Sequence, residues 1–161
     1  MVSFEEIYND TSKLIYHLIF SYIHNEEDSK DILQDVYMAY LEKGRKIKAK
    51  EEVKFWLIRV AINKSINFLK NKSKKDVDIS DAIVNNLLAL EKNKESDDFL
   101  YLSICELDSI YKDVIILHYY DDIKTKDISK ILKVKESTVR MRLMRARNIL
   151  KEKMENYKNG W

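Results

Sequence analysis

The chain contains no proline and only two glycines among its 161 residues. Proline interrupts helices and glycine weakens them, and both residues are common markers of tight turns. Their scarcity favours long helices with short connections. The β-branched apolar run at residues 114–117 continues a helical spacing that begins at Ile110, so it is also interpreted as helix. The sequence therefore predicts an all-α protein.

Composition argues against several classes of protein. Apolar runs are too short to span a membrane, and charged residues interrupt the apolar residues of the first 23 positions, unlike a signal peptide. Cys105 is the single cysteine, which argues against an internal disulfide and a zinc site and favours a small buried side chain over a redox role. We therefore expect a cytoplasmic protein without membrane insertion, metal or cofactor.

A helix-turn-helix is predicted at residues 125–153. Its first helix contributes Ile128, Ile131 and Leu132, and residues 133–135 form the turn. The second helix has an apolar face of Val139, Leu143, Ala146 and Leu150, at helical spacing. A basic face carries Arg140, Arg142, Arg145 and Arg147. Because the arginine fork makes paired hydrogen bonds to guanine and phosphate, this stretch predicts DNA binding; the alternative is a solvated basic helix in an ordinary bundle.

The charges are segregated along the chain, although the net charge is only +2. Residues 1–41 carry a net −6, residues 42–75 carry +9, residues 76–124 carry −8 and residues 125–153 carry +7. On a protein surface without a charged partner, acidic and basic residues are usually interspersed. Two basic blocks predict two contacts with a polyanion, and the acidic blocks indicate surfaces for a basic protein partner or simple charge balance.

Helices are predicted at 4–23 and 28–42. The second has apolar positions at Ile32, Leu33, Val36, Ala39 and Tyr40, and an outer face of Asp31, Gln34, Asp35 and Met38. Asp28, Asp31 and Asp35 share a stripe that suggests a divalent cation. Hard-metal sites draw ligands from several elements, so a solvated or protein-docking face is the better interpretation.

Residues 43–54 are predicted as a basic loop, with Gly44 capping the preceding helix. A helix at 55–70 follows. Its apolar face is assigned to Phe55, Ile58, Ile62, Ile66 and Leu69, and its polar face to Arg59, Asn63, Asn67 and Lys70. Arginine and asparagine read base edges, and Trp56 is either a stacking surface for a base or a core residue. The loop and helix together fit single-stranded or distorted nucleic acid.

The connection to the second unit is less regular. Residues 73–98 change from basic to acidic and are predicted as a linker, with a short helix at 82–90. Two helices then precede the helix-turn-helix. Asp108 or Ser109 is expected to cap the second of these, and Thr125 is expected to cap the first helix of the helix-turn-helix. His118 is interpreted as a structural residue.

The order of these parts resembles a known family. The motifs DILQDVY (31–37), FWLIRVAIN (55–63) and TVRMRLMRAR (138–147) occur in the order and spacing of bacterial RNA polymerase sigma factors of the extracytoplasmic-function type, which contain only regions 2 and 4. The resemblance covers nearly the whole chain. It implies a region 2 domain at 1–72, a linker at 73–98 and a region 4 domain at 99–161. It also implies a non-enzymatic protein that directs promoter-specific initiation.

The resemblance assigns roles that coincide with the charge blocks. Core RNA polymerase is the implied partner, through its β′ clamp helices and its β flap, and promoter DNA and an anti-sigma factor are the others. Polymerase binding falls on Asp31, Gln34 and Asp35. Recognition and melting of the −10 element, with a base flipped from the stack, fall on residues 43–70. The acidic linker would thread toward the active site and the RNA exit channel.

Individual DNA contacts follow by motif position. The −10 residues are Lys46, Lys48, Trp56, Arg59, Asn63 and Asn67. The −35 residues are Ser137, Thr138, Arg140, Met141, Met144 and Arg145, on a helix that enters the major groove.

The sequence departs from the family pattern at three turn or cap positions. Lys133 replaces a common glycine, which costs about 1 kcal/mol if the position requires a positive φ. Lys135 replaces a Ser or Thr cap, whose role Ser137 or Thr138 would take over. Asp108 replaces a proline.

Two other functions are compatible with parts of the chain. A stand-alone helix-turn-helix regulator would explain residues 125–153 but would leave the basic 43–70 segment and the acidic docking face without a role. A nucleic-acid enzyme would need a phosphate-binding glycine loop, a carboxylate cluster or a nucleophile–base pair, and the sequence contains none of these patterns.

Overall fold

The computed structural model describes residues 2–72 and 96–159, which form two compact units of helices. The first unit contains α1 (Phe4–Ile23), α2 (Glu26–Ala39), a π-helical turn (Tyr40–Gly44) and α3 (Lys50–Lys72). The second contains α4 (Ser96–Cys105), α5 (Ser109–Asp121), α6 (Thr125–Leu132) and α7 (Glu136–Lys158). All regular elements of the described ranges are helical, and the all-α prediction is confirmed. The predicted linker lies outside the described residues, apart from the start of α4.

In residues 2–72 and 96–159, three helices end on a non-glycine residue in the left-handed conformation. These residues are His24 (φ 58°), Asp122 (φ 52°) and Lys133 (φ 57°). Glycine is the usual residue at such positions, because other side chains are strained there by roughly 1 kcal/mol or more. Position 133 therefore does require a positive φ, as considered in the sequence analysis, and Lys133 carries the associated strain. The short connections of the fold are built without glycine and retain that strain.

The first unit is a three-helix packing of α1, α2 and α3. Its fully buried side chains include Ile15, Leu18, Val36 and Leu57. A buried hydrogen bond of 2.6 Å joins the Thr11 and Tyr37 hydroxyls across α1 and α2. Burial raises the pKa of Tyr37 to about 12, so the phenol stays protonated at physiological pH.

The third helix differs from its prediction at both its start and its face. It begins at Lys50, so the basic loop is confined to residues 45–49. Its buried residues are Val53, Leu57, Ile58, Ala61, Ile62 and Ser65, whereas Phe55, Ile66 and Leu69 are only half-buried. The reason is that α3 packs against both α1 and α2, so its buried arc is wider than a single stripe and is centred elsewhere.

Gly44 does not end α2 as predicted. It is the last residue of the π-helical turn that continues α2, and it is buried. A Cβ atom there would lie 2.5 Å from Cδ2 of Tyr40 and 3.2 Å from Cζ3 of Trp56. The glycine is therefore required by close side-chain packing, and its backbone conformation is not the reason.

The second unit contains the helix-turn-helix with the predicted turn, since α6 ends at Leu132 and α7 begins at Glu136. Helix α7 continues to Lys158, beyond the predicted end at residue 153. The far end of α7 returns to α4, where the rings of Phe99 and Tyr157 stack with centroids 4.0 Å apart. Cys105 is buried, and burial raises its pKa to about 12, consistent with a packing role. Across the described ranges, no helix combines the length and apolarity needed to cross a membrane.

The cap predictions are corrected in part. Asp108 is the N-cap of α5 by position, but its side chain makes no capping hydrogen bond. Lys124, and not Thr125, is the N-cap of α6, with an extended backbone at ψ 148°. Thr125 is the first helical residue, and its hydroxyl is directed toward α7 instead.

Candidate nucleic-acid and protein interfaces

Helix α7 presents a convex surface on the second unit. The four predicted core residues, Val139, Leu143, Ala146 and Leu150, are all buried. Because successive residues turn by about 100°, the side opposite this core is centred on Met141, Met144 and Arg145. Met141 is 41% exposed and Met144 is 55% exposed. An exposed ridge of this kind, about one helix wide, has the shape that enters a DNA major groove.

The sequence predicted that the four arginines of α7 share one face. In the structure they do not. Arg140 and Arg142 point roughly 160° apart around the helix, and Arg142 is half-buried. Arg147 turns back onto α5, where its Nε donates to the Tyr119 hydroxyl and its guanidinium lies 5.4 Å from the ring centroid. Arg140 and Arg145 are the arginines at the exposed ridge.

The N-terminal end of α7 has no side-chain cap. Lys135 is the N-cap, with an extended backbone, and neither Ser137 nor Thr138 takes over that position. Ser137 is exposed and Thr138 is half-buried, both in the first turn. The backbone N–H groups at a helix start lack partners within the helix and favour an anion such as phosphate.

A single carboxylate links the two helices of the motif. Oε1 of Glu136 accepts from the Thr125 hydroxyl at 2.9 Å and pairs with Nη1 of Arg140 at 3.0 Å. Thr125 is the first residue of α6, and Glu136 is the first residue of α7. The contact therefore fixes the start of the second helix against the start of the first.

A basic cleft lies on the first unit, between the loop 45–49 and the start of α1. It has a volume of about 730 Å³ and combines cationic with aromatic walls. Its lining residues are Val2, Ser3, Phe4, Tyr40, Arg45, Lys46, Ile47, Lys48 and Val53. The two predicted −10 lysines, Lys46 and Lys48, therefore share this cleft.

The other predicted −10 residues lie along α3. Trp56, Arg59, Asn63 and Asn67 recur at three or four residues and thus follow one side of the helix for about 16 Å. Asn63 and Asn67 are exposed, whereas Trp56 and Arg59 are half-buried. Trp56 packs edge-on against Tyr40, with centroids 6.4 Å apart. Trp56 is thus partly a core residue and partly accessible for stacking on a base.

The outer face of α2 is exposed as predicted, with Asp31, Gln34, Asp35 and Met38 all accessible. Asp28 does not belong to this face, because it is half-buried and pairs with Lys72 of α3 at 3.2 Å. The proposed acidic stripe is therefore broken at its first residue. Within the described ranges, no group of three or more potential ligands is arranged to hold a metal ion.

Two apolar grooves were missed by the sequence analysis. One, of about 600 Å³, borders the exposed face of α2; its lining includes Phe4, Tyr8, Leu33, Gln34, Tyr37, Met38 and Leu41. The other, of about 530 Å³, lies on the second unit among α4, α5 and α7; its lining includes Leu100, Ile104, Ile115, Tyr119, Tyr120 and Met154. Tyrosines at helical spacing were the available signal, but periodicity does not separate a groove wall from a core residue.

Comparison with known proteins gives matches to both units. A family model described as Sigma-70 region 2 matches residues 7–75, and one described as Sigma-70, region 4 matches residues 100–150. The RNA polymerase sigma factor SigV of Bacillus subtilis (strain 168) is 30% identical over 142 residues, which cover 88% of this chain and 85% of that protein. The ECF RNA polymerase sigma factor SigM of the same organism is 30% identical over 156 residues, with 93% and 94% coverage.

The fold is also found in solved structures. The sigma factor RpoE in complex with the anti-sigma factor NepR, from Bartonella quintana, has a TM-score of 0.73 at 15% identity, covering 94% of this chain and 96% of that one. CnrH in complex with the cytosolic domain of CnrY has a TM-score of 0.66 at 18% identity, covering 95% and 88%.

Proposed function

The chain belongs to the extracytoplasmic-function RNA polymerase sigma factors, and we propose that its two units divide promoter recognition between an opened strand and a duplex. The observation that carries this proposal is the contrast between a concave basic cleft on the first unit and a convex ridge on the second. The boundaries assigned to the units, 1–72 and 99–161 with a linker at 73–98, belong to the same proposal.

The second unit reads the −35 element. Residues Ser137, Thr138, Arg140, Met141, Met144 and Arg145 form the contact surface. Ser137, Thr138 and the free N–H groups of the first turn bind phosphate and set the register of the helix. Arg145 and Arg140 read base edges, and the exposed Met141 and Met144 contact thymine methyl groups, which are the apolar features of the major groove.

The first unit captures the −10 element as a single strand. Lys46 and Lys48 attract the backbone into the basic cleft, whose aromatic walls give a base a surface on which to stack. Trp56, Arg59, Asn63 and Asn67 continue the track along α3. A base flipped into such a cleft stabilises the opened strand, because the free energy of unstacking is offset by new contacts.

Core RNA polymerase docks on both units. The β′ clamp helices bind the face formed by Asp31, Gln34 and Asp35, and the adjacent apolar groove with the exposed Met38 supplies the burial that isolated charges lack. The β flap binds the apolar groove of the second unit. The chain thus acts in the cytoplasm with polymerase and is itself not an enzyme.

An anti-sigma factor is a further partner. RpoE and CnrH are described in complex with NepR and with the cytosolic domain of CnrY, respectively. In this chain, the two apolar grooves are the surfaces through which an inhibitor would block polymerase docking.

Polymerase binding is tested with a charge reversal on the docking face. Asp35→Lys should lower the affinity for core polymerase by about tenfold or more, because an exposed anion that meets a basic partner becomes repulsive. Copurification of purified core enzyme with each variant measures this. Glu51→Lys reverses an exposed acidic residue on a different helix of the same unit, α3, away from the assigned face of α2. It is the matched control and should bind normally. Retained binding by Asp35→Lys would contradict the docking assignment.

A further inference from the structure

Glu136 occupies an unusual position among the residues of the helix-turn-helix. It is an acidic residue at the start of the helix assigned to negatively charged DNA, and one of its oxygens, Oε1, holds both Thr125 and Arg140. An ordinary exposed i,i+4 ion pair is mobile and contributes little, about 0–1 kcal/mol. Here the hydroxyl of Thr125, from the other helix of the motif, also donates to the Glu136 carboxylate and restricts its motion.

We infer that Glu136 is a positioning residue that holds the Arg140 guanidinium in the orientation that reads a −35 base pair. The inference rests on the proposed function of α7. Arg140 is 59% exposed at its side chain, so without a partner its long side chain would sample many rotamers. A fixed carboxylate removes that freedom before DNA arrives, which lowers the entropic cost of forming a base contact.

The same carboxylate opposes non-specific binding. A phosphate that approaches Arg140 meets the negative charge of Glu136, whereas a guanine edge, which is neutral, does not meet the same repulsion. The charge of Glu136 therefore lowers the general affinity of Arg140 for the DNA backbone, whereas the hydrogen-bonded position of Oε1 sets the orientation of the guanidinium. The predicted signature of lost positioning is a loss of sequence discrimination at one base pair, and not a general loss of affinity.

Four variants separate positioning from charge: Glu136→Ala, Glu136→Gln, Arg140→Ala and the double variant Glu136→Ala/Arg140→Ala. Glu136→Gln removes the charge but keeps the Oε1 acceptor for Thr125 and Arg140. The readout is run-off transcription by reconstituted holoenzyme from a mapped promoter and from templates with each −35 base pair substituted. Circular dichroism melting establishes that each variant is folded at the assay temperature.

Arg140→Ala should lose about tenfold of the discrimination at one base pair, as expected for a direct contact. Glu136→Ala should lose discrimination at that same pair by about fivefold, the double variant should be no worse than Arg140→Ala, and Glu136→Gln should stay within about twofold of wild type. Equal losses for Gln and Ala, or losses of the two single variants that multiply, would overturn the inference. Failure of the wild-type chain to initiate at all would instead overturn the proposed function beneath it.

Discussion

The two units carry surfaces of opposite shape, and we assign these surfaces to different forms of promoter DNA. In the first, the cationic residues of the loop 45–49 line a cleft whose walls include Phe4 and Tyr40. In the second, Met141, Met144 and Arg145 project from a helix whose other side is fully packed. A concave aromatic cleft receives a single nucleotide, and a convex helix enters a groove. Under the proposed function, this difference assigns the opened strand to the first unit and the duplex to the second.

The shapes also differ in what maintains them. The ridge of the second unit depends on one row of buried residues along α7, from Val139 to Leu150. The cleft of the first unit depends on an aromatic packing around Gly44, in which Tyr40 contacts Trp56 and Phe4. The ridge should therefore be most sensitive to loss of core volume, and the cleft to added volume.

The largest effect is expected from Leu143→Ala. Leu143 is 2% exposed, and truncation of a buried leucine costs about 2–5 kcal/mol of unfolding free energy through lost transfer energy and a cavity. The loss should be confined to the second unit. Hydrogen exchange of peptides from each unit measures this separation. Met144→Ala, an exposed neighbour on the same helix, is the control and should change stability by about 0.5 kcal/mol or less.

Gly44→Ala should destabilise the first unit by about 1–3 kcal/mol, because the new methyl group overlaps the buried Tyr40 ring. Peptides from the second unit should exchange unchanged. Lys43→Ala, at the exposed preceding position, should be nearly neutral. An unchanged first unit in Gly44→Ala would show that Tyr40 and Trp56 move aside at little cost, and the cleft would then not be a packed structure.

Helices α7 and α3 show where prediction from the sequence succeeds and where it fails. The core of α7 was predicted completely, because this helix buries one narrow side and its apolar residues recur at three and four positions. The buried arc of α3 was misplaced, because contact with both α1 and α2 buries Ala61 and Ser65 and leaves Ile66 half-buried. Composition does not identify a small residue as core when two neighbours approach it closely.

The candidate sites show the same limit. The exposure of Asp31 and Asp35 followed from periodicity within one helix. The turn of Arg147 onto Tyr119 and the pairing of Thr125 with Glu136 did not, because each joins residues on different elements. Their geometry depends on helix packing, which the sequence pattern leaves undetermined.

The smallest effect concerns two of the three left-handed turn residues, His24 from the first unit and Lys133 from the second. Lys133→Gly should stabilise the second unit by about 1 kcal/mol, since Lys133 is exposed and glycine relieves the strain at φ 57°. His24→Gly relieves similar strain but removes a buried side chain that packs against Phe20, so no gain is expected in the first unit. Thermal unfolding measures both. A stabilised His24→Gly would show that its packing contributes little.

The proposed split of promoter recognition between the two units is tested most directly by binding experiments. Reconstituted holoenzyme is bound to two labelled fragments of a mapped promoter. One is the single-stranded −10 non-template oligonucleotide, and the other is the −35 duplex. Asn63→Ala/Asn67→Ala should weaken binding to the single strand by about tenfold and leave the duplex unchanged, whereas Arg145→Ala should do the reverse. Equal weakening of both fragments by either variant would contradict the assignment of the opened strand to the first unit and the duplex to the second.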